Sequence, residues 1–369
     1  MQKENLVKIL LACLFVFGTF SLNASEPEEG HGGQVDTREE IQNFVRHHLK
    51  DSHSFTLFSD GKTGEHYGFP LPVILWDDAN GLVMFSSAKF HHGEELAEIN
   101  GQHYKLYHSQ IYKTDAEGNF LHGDTEHPLN PELVDFSITK NVFMMILVSI
   151  FLLLIFGRLA RSYKKQAVPT GFGRILEPLV IYVRDEIAKP NIGPKYKKYV
   201  GFIMTVFFFI LILNLLGITP LGVNVTGNIA ITFCLAMFTF IIVQFSGNKH
   251  YWKHIFWMPG VPVIMKIVLI PIEVLGMFTK PFALMIRLFA NMTAGHVVLM
   301  SLLGLIVVFK TIFAGVAFFS FTLFIVLIEL LVAFLQAYIF ALLSALYIGM
   351  AVEEHADHPN EHNDEAPVI

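Results

Sequence analysis

Thr311–Met350 reads TIFAGVAFFSFTLFIVLIELLVAFLQAYIFALLSALYIGM, forty residues without one Lys or Arg. As a helix rising 1.5 Å per residue it would reach about 60 Å, twice the hydrocarbon thickness of a bilayer. Either such a helix breaks or it lies steeply tilted. The run before it, Val263–Phe309, is apolar yet carries Lys266, Glu273, Lys280, Arg287, Asn291 and His296, with Pro271 and Pro281. Together the two runs predict long tilted helices paired as a hairpin that turns near Lys310.

Working outward, three further apolar runs complete a set of about five spans: Ile138–Gly157, Tyr199–Ile218 and Ile229–Ser246. Composition agrees. The 369 residues are 53% hydrophobic and 16% charged, well under the roughly 25% charged residues usual in soluble chains. An ordinary soluble enzyme, a disordered chain and a collagen-like chain are all excluded. The fold class expected is an all-α polytopic membrane protein with a small exported α+β domain at its N-terminus.

Charge is distributed unevenly. Residues 25–135 carry 20 Asp/Glu against 7 Lys/Arg, residues 158–198 carry 10 Lys/Arg against 3 Asp/Glu, and the tail 353–369 has no basic residue. Positive charge flanking a span marks the cytoplasmic side. Residues 25–137 are therefore expected outside, and span counting puts the acidic tail inside. Lys3 and Lys8, the apolar Ile9–Phe20 and Asn23-Ala24 read as a signal peptide over 1–24. Leu10-Leu11-Ala12-Cys13 is a weaker lipoprotein-like alternative. Cys13 and Cys234 form no disulfide or metal framework.

Within the exported segment, Asp36-Thr37-Arg38-Glu39 resembles a capping box, followed by Ile41, Phe44, Val45 and Leu49 on one helical face. Val73–Trp76 and Leu82–Phe85 flank a turn-like Asp77–Gly81, predicting a hairpin. His103–Tyr112 and Phe120–His122 suggest one more strand pair about Glu117-Gly118-Asn119. Eleven His fall here, without the spacing of a tight metal site. In the basic block, Ile175, Leu176, Leu179, Val180, Val183 and Ile187 predict an amphipathic helix at the membrane interface.

Arg287 is the most informative residue. An arginine at the centre of a membrane helix costs between about 3 and 17 kcal/mol, and its guanidinium stays protonated. It persists where it faces water, a carboxylate that needs it, or a structural partner such as Glu273 or Glu329. Asn291, at i+4, shares its face, whereas His296, at i+9, lies about half a turn round and roughly 13 Å along. Glu329 and Gln336, seven apart, share a face with Ala333 between them. A permanent cation beside groups that can change protonation suggests a proton path. A secondary transporter holding an anionic substrate on Arg287 is the rival reading. Such transporters commonly carry internal repeats, and no second copy of the Arg287 segment is present.

Leu284-Met285-Ile286-Arg287-Leu288-Phe289-Ala290-Asn291-Met292-Thr293-Ala294-Gly295-His296 resembles the signature of subunit a of F-type ATP synthases. So do Asn214–Pro220, Thr226-Gly227-Asn228, Val183–Ala188 and Leu335–Phe340, together covering roughly 138–355. The resemblance implies a stator subunit with two offset half-channels, working with a c-subunit ring and a b-subunit stalk in the bilayer. It implies that Arg287 meets the rotor carboxylate, and that His296, Glu329, Asn291 and Gln336 line the outer half-channel. Glu273 would line the inner one, with Asn214 a weaker polar candidate. Many bacterial members carry an acid at the position of His296 and a histidine at that of Glu329; here the two are exchanged. No active site of its own, no cofactor, no metal and no nucleic acid are expected, and H⁺ is favoured over Na⁺ because His296 suits a proton relay. The cell inner membrane is the expected location. The resemblance assigns no role to residues 25–137.

Overall fold

The structure, a computed structural model, describes residues 51–59, 66–78, 80–93, 95–107, 109–120, 122–123, 128–129, 133–164, 171, 173–219, 223–258, 262–309 and 312–353. The expected signal peptide, the helix expected after Asp36, the expected turn near Lys310 and nearly all of the tail lie outside these residues. The described chain is mostly helical, and five of its helices are long and apolar enough to cross a membrane.

The N-terminal part is built from short antiparallel strands. β1 (Ser54–Ser59) pairs with β2 (His66–Pro70). β3 (Pro72–Asp77) and β4 (Gly81–Ser86) form the expected hairpin, with Trp76 opposite Leu82 and Gly81 at φ 68° in the turn. β5 (Ala97–Ile99), β6 (Gln102–Tyr107) and β7 (Gln110–Thr114) make a meander. β8 (His122–Gly123) and β9 (Pro128–Leu129) pair briefly, and β10 (Leu133–Asp135) adds to the free edge of β3. The expected strand His103–Tyr112 is itself a hairpin, because the chain reverses about Ser109, at φ 66°. The Glu117–Asn119 turn also forms. The Asp115 carboxylate accepts from the N–H groups of Glu117 and Asn119, and Thr114 bridges Phe120.

The inward faces of these strands supply a core of Val73, Leu75, Val83, Phe90, Ala97, Tyr104 and Ile111. One polar cluster is sealed into it. Asp77 is fully buried, pairs with Lys113 at 2.6 Å, and accepts the Tyr104 hydroxyl at 2.9 Å. Burial, then the hydrogen bond to Asp77 and its charge, push the Tyr104 hydroxyl up to about 12. A buried ion pair survives desolvation only when its remaining lone pairs are satisfied, as they are here.

The strands join the first membrane helix, α1 (Lys140–Tyr163), through a dense junction. Phe136 and Ile138 donate backbone N–H groups to the carbonyls of Ile74 and Pro72, and Lys140 N–H donates to Ser52. Phe143, in the first turn of α1, packs edge-on against Phe55 and Phe69. Buried His53 lies 3.1 Å from Asp135. Burial alone would lift the Asp135 carboxyl, but hydrogen bonds from His53 and Ser137 outweigh it and hold it below the usual carboxylate range.

The remaining elements are α2 (Gly173–Tyr182), α3 (Lys189–Ile192), α4 (Tyr196–Ile218), α5 (Ile229–Ser246), α6 (Lys249–Phe256), α7 (Val263–Phe309) and α8 (Ile312–Val352). α8 runs unbroken for 41 residues. The expected amphipathic helix is not one regular helix. A π-helical segment, Val183–Ala188, separates α2 from α3. Of its apolar stripe only Val183 and Ile187 are buried, while α2 buries none of its residues.

The chain divides into two compact units. One holds residues 1–151, 212–228 and 292–331; the other holds 152–211, 229–291 and 332–369. In the second, the latter half of α8 is the hub. Ala333, Ala337, Ala341 and Ala345, each four residues on, are buried, as are Phe340, Ser344 and Ile348. Around this face lie Phe207 of α4 against Phe334, Thr239 of α5 against Ser344, and Tyr182 of α2 against Tyr338. Lys280 sits over the ring of Tyr347, and Asn291 bonds Gln336. Both contacts step eleven residues along each helix, in opposite directions, so α7 and α8 run antiparallel here. Asn248 caps the end of α8, its backbone N–H on Ala351 and its amide on Val352, each at 2.9 Å.

Gly349 continues the small-residue ladder, and a Cβ built there would strike the carbonyl oxygen of Asn191. Gly276 on α7 has nothing within 4 Å of such a Cβ. Gly349→Ala should therefore destabilise the protein by about 1–3 kcal/mol, as overpacking against backbone does. Gly276→Ala should be neutral or slightly stabilising. Thermal unfolding of the two purified variants in detergent checks this pair.

Candidate functional site

The polar residues of α7 and α8 separate into two groups. In the second unit, Leu284 and Leu288 face inward and are almost wholly buried, which leaves Arg287 half-buried on an adjacent side of α7. Among the described residues Arg287 makes no ion pair. One turn further, the Asn291 amide donates to the Gln336 side-chain oxygen at 2.9 Å. Gln336 is buried between Ala333 and Ala337, whose small side chains let the two helices come close enough for short polar groups to meet.

In the first unit, Glu329 of α8 lies against Gly295 of α7, where a Cβ would collide with its carboxylate. His296 follows directly. It is buried, and its Nε2 faces the backbone of Gly217 on α4, 3.5 Å from where a Cβ would sit, at a geometry short of a full hydrogen bond. A Cβ at Gly217 would also strike the end of Met292. Gly217 therefore leaves room for Met292, and Gly295 for Glu329. Among the described residues no hydrogen bond or ion pair joins His296 to Glu329 directly. Asn214, buried near the end of α4, accepts the Thr226 hydroxyl at 2.9 Å and ties α4 to the turn at Val225–Gly227.

Glu273 is half-buried on α7, two turns before Lys280. Lys280 belongs to a small, partly open crevice that also takes in Thr239, Gln244, Tyr251 and Tyr347. Gln244 donates to the Tyr251 hydroxyl at 3.4 Å. Sequence reasoning passed over Lys280, Gln244, Tyr251 and Tyr347 as site residues. A usable signal existed: Glu273 and Lys280 are seven apart, hence on one helical face. Lys266, nearer the start of α7, lies 4.2 Å above the Trp257 ring. Among the described residues no three His, Cys, Asp or Glu side chains come together to hold a metal ion.

The first unit holds the titratable His296 and Glu329, and the second the amides of Asn291 and Gln336 with the permanently charged Arg287 one turn before Asn291. Imidazole and carboxyl groups of this kind can take up and release protons.

Comparison with known proteins agrees. The profile of the family described as ATP synthase A chain matches residues 142–349, and that of a domain of unknown function matches 44–136. The chain is 48% identical over 241 residues to ATP synthase subunit a of Chloroherpeton thalassium, covering 63% of this chain and 72% of that one. It is 40% identical over 321 residues to ATP synthase subunit a 2 of Prosthecochloris aestuarii, covering 83% and 98%. It is 44% identical over 256 residues to ATP synthase subunit a of Myxococcus xanthus, covering 67% and 84%.

The Asn291–Gln336 contact yields a direct test. In a double-mutant cycle with Asn291→Ala and Gln336→Ala, the two changes should be non-additive by about 0.5–1.5 kcal/mol, the net worth of one such bond. Thermal unfolding of the four proteins measures it.

Proposed function

The chain belongs to the ATP synthase A chain family, and from that premise we propose that it is the proton-conducting stator subunit of a rotary F-type ATP synthase. Two half-channels would load and unload the carboxylates of a c-subunit ring, with a b-subunit stalk holding the stator still. The subunit is non-catalytic by itself. It sits in the inner membrane with its strand domain outside, its C-terminus in the cytoplasm and residues 1–24 serving as signal peptide.

The observation that carries this reading is Arg287: a permanent cation on a membrane helix, with no anionic partner among the described residues. A charge of that cost is retained where its partner arrives from elsewhere. A rotor carboxylate that passes by supplies it. Ionised opposite Arg287, the carboxylate has given up its proton to one half-channel and takes another from the second. The guanidinium itself accepts no proton, so it also blocks a direct leak between them.

His296, Glu329, Asn291 and Gln336 are assigned to the outer half-channel and Glu273 to the inner one. Asn214 has the weakest claim, since its side-chain oxygen already holds Thr226. Protons are favoured over Na⁺ because an imidazole accepts and donates H⁺ near neutral pH, whereas Na⁺ prefers a cage of oxygens.

Arg287→Lys and Arg287→Ala should both abolish proton-driven ATP synthesis while the complex still assembles. Lys replaces a planar, permanently protonated fork with a point charge whose pKa shifts when buried. Near-normal synthesis in membranes carrying Arg287→Ala would remove this residue from the mechanism.

Glu329 rests on the residue next to His296, so the two should act on one path. Glu329→Gln and His296→Ala should each slow proton flux with little effect on assembly. The exchange of both, His296→Glu with Glu329→His, should restore more flux than either half alone, because it returns one acid and one base to the path. Pumping by inverted vesicles with matched amounts of complex is the measurement.

A further inference from the structure

The sheet β10-β3-β4 hides one face in the domain core and leaves the other open. Side chains alternate along a strand, so Val73, Leu75, Val83 and Leu133 point in. Ile74, Trp76, Leu82, Met84 and Val134 point out. Strand register aligns Val134, Trp76 and Leu82 in one row, with Ile74 and Met84 in the next. Phe136, whose N–H bonds the Ile74 carbonyl, extends that second row. Exposure is high at each of the bulky positions: Phe136 64%, Met84 63%, Leu82 57%, Val134 50% and Trp76 48%. Outward positions on these strands carry no ionisable side chain, although residues 25–135 hold 20 Asp/Glu. A contiguous apolar patch of this kind marks a protein or membrane contact.

Its position favours the membrane. β10 ends at Asp135 and α1 begins at Lys140, a stretch no longer than about 18 Å even if fully extended. Nor can the sheet swing away. Phe136 and Ile138 are hydrogen-bonded to β3, Lys140 to Ser52, and Phe143 of α1 is wedged against Phe55 and Phe69. The open face is therefore fixed beside the point where the chain enters the bilayer. Trp and Phe with aliphatic neighbours are the side chains that settle at a headgroup boundary. Absence of acidic residues on this face alone removes repulsion from anionic lipid.

We propose that the outward face of β10-β3-β4 lies on the bilayer surface, on the side where α1 begins, and that phospholipid is its occupant. The inference is independent of the proton-channel reading. It gives the strand domain a physical task, that of a foot which steadies α1 at its entry point.

The chain has three tryptophans, Trp76, Trp252 and Trp257. The full-length protein carrying Trp252→Phe and Trp257→Phe, placed in phosphatidylcholine–phosphatidylglycerol nanodiscs, reports on Trp76 alone. With acyl-chain-brominated phosphatidylcholine its emission should fall by about half, and aqueous acrylamide should quench it weakly, as for an interfacial indole. Strong acrylamide quenching without an effect of bromine would overturn the proposal by leaving the face in water. Protection from both quenchers would overturn it equally, by showing that protein covers the face, whether another segment of this chain or another subunit. If the Phe substitutions prevent folding, a nitroxide on Met84→Cys, with Cys13→Ser and Cys234→Ser, gives the same answer. Its collisions with oxygen should exceed those with a water-soluble nickel chelate, and the reverse order would refute lipid contact.

Discussion

How closely two helix backbones can approach inside a bilayer governs what the polar side chains of this protein can do. Lipid tails are as apolar as leucine, so no hydrophobic force draws membrane helices together; packing and interhelical hydrogen bonds must do so. The latter half of α8 meets that requirement with one small residue every fourth position, Ala333, Ala337, Ala341, Ala345 and Gly349. The period follows one face of the helix, which is why that face is buried from end to end. Gly349 touches the backbone of Asn191, and Asn248 closes the helix end beside it. Only at such separations can a Gln and an Asn, both short, bond each other directly across two helices. A wider separation of α7 and α8 at this level would break the Asn291–Gln336 bond.

Polar placement then follows from steric room. Glycine stands where α7 meets the Glu329 carboxylate and where α4 meets His296. The Glu329 carboxylate therefore occupies space that a side chain at Gly295 would need, while the room left at Gly217 is taken by Met292 beside His296. Arg287 is treated differently. It has neither a carboxylate nor a glycine hollow of its own among the described residues, and it stands on the side of α7 next to the buried Leu284 and Leu288. Under the proposed function this is what a passing rotor requires: the charge stays in place, and no resident anion competes for it.

Much of the helical layout was legible because it rests on long apolar runs, whose length and polarity dictate their state with little help from context. Ile229–Ser246 is an α-helix over those very residues. The Val73–Trp76 and Leu82–Phe85 hairpin was equally plain, since alternation and a Gly turn act locally. What escaped depends on partners distant in sequence or on local backbone choices with several solutions. The π segment at Val183–Ala188 cannot be read from an apolar stripe, because π and α windings share most of their spacing over one turn. The reversal at Ser109 uses a positive φ at a residue that rarely announces one. Of the candidate site, spacing placed Asn291 on the face of Arg287 and Gln336 on that of Glu329, but the Asn291–Gln336 bond joins two helices and no spacing within one helix announces it. The crevice about Lys280 was not legible either, since Gln244, Tyr251 and Tyr347 come from three separate helices and carry no common motif.

The junction below the strand domain extends the same reasoning past the membrane surface. A linker between a domain and a membrane helix is usually loose, since few contacts cross it. Here residues 136–140 are almost fully engaged: three backbone N–H groups reach back to β3 and to Ser52, the Ser137 N–H donates to Asp135, and Phe143 of α1 packs edge-on against Phe55 of β1 and Phe69 of β2. His53 and Asp135 add a charge-assisted contact at the centre of that seam. Backbone bonds depend on chain geometry rather than on any one side chain, so such a seam resists single substitutions. Its effect is to make the sheet and the first turns of α1 one body. An apolar face on that body is then held in a constant relation to the span that enters the bilayer, whatever the rest of the chain is doing.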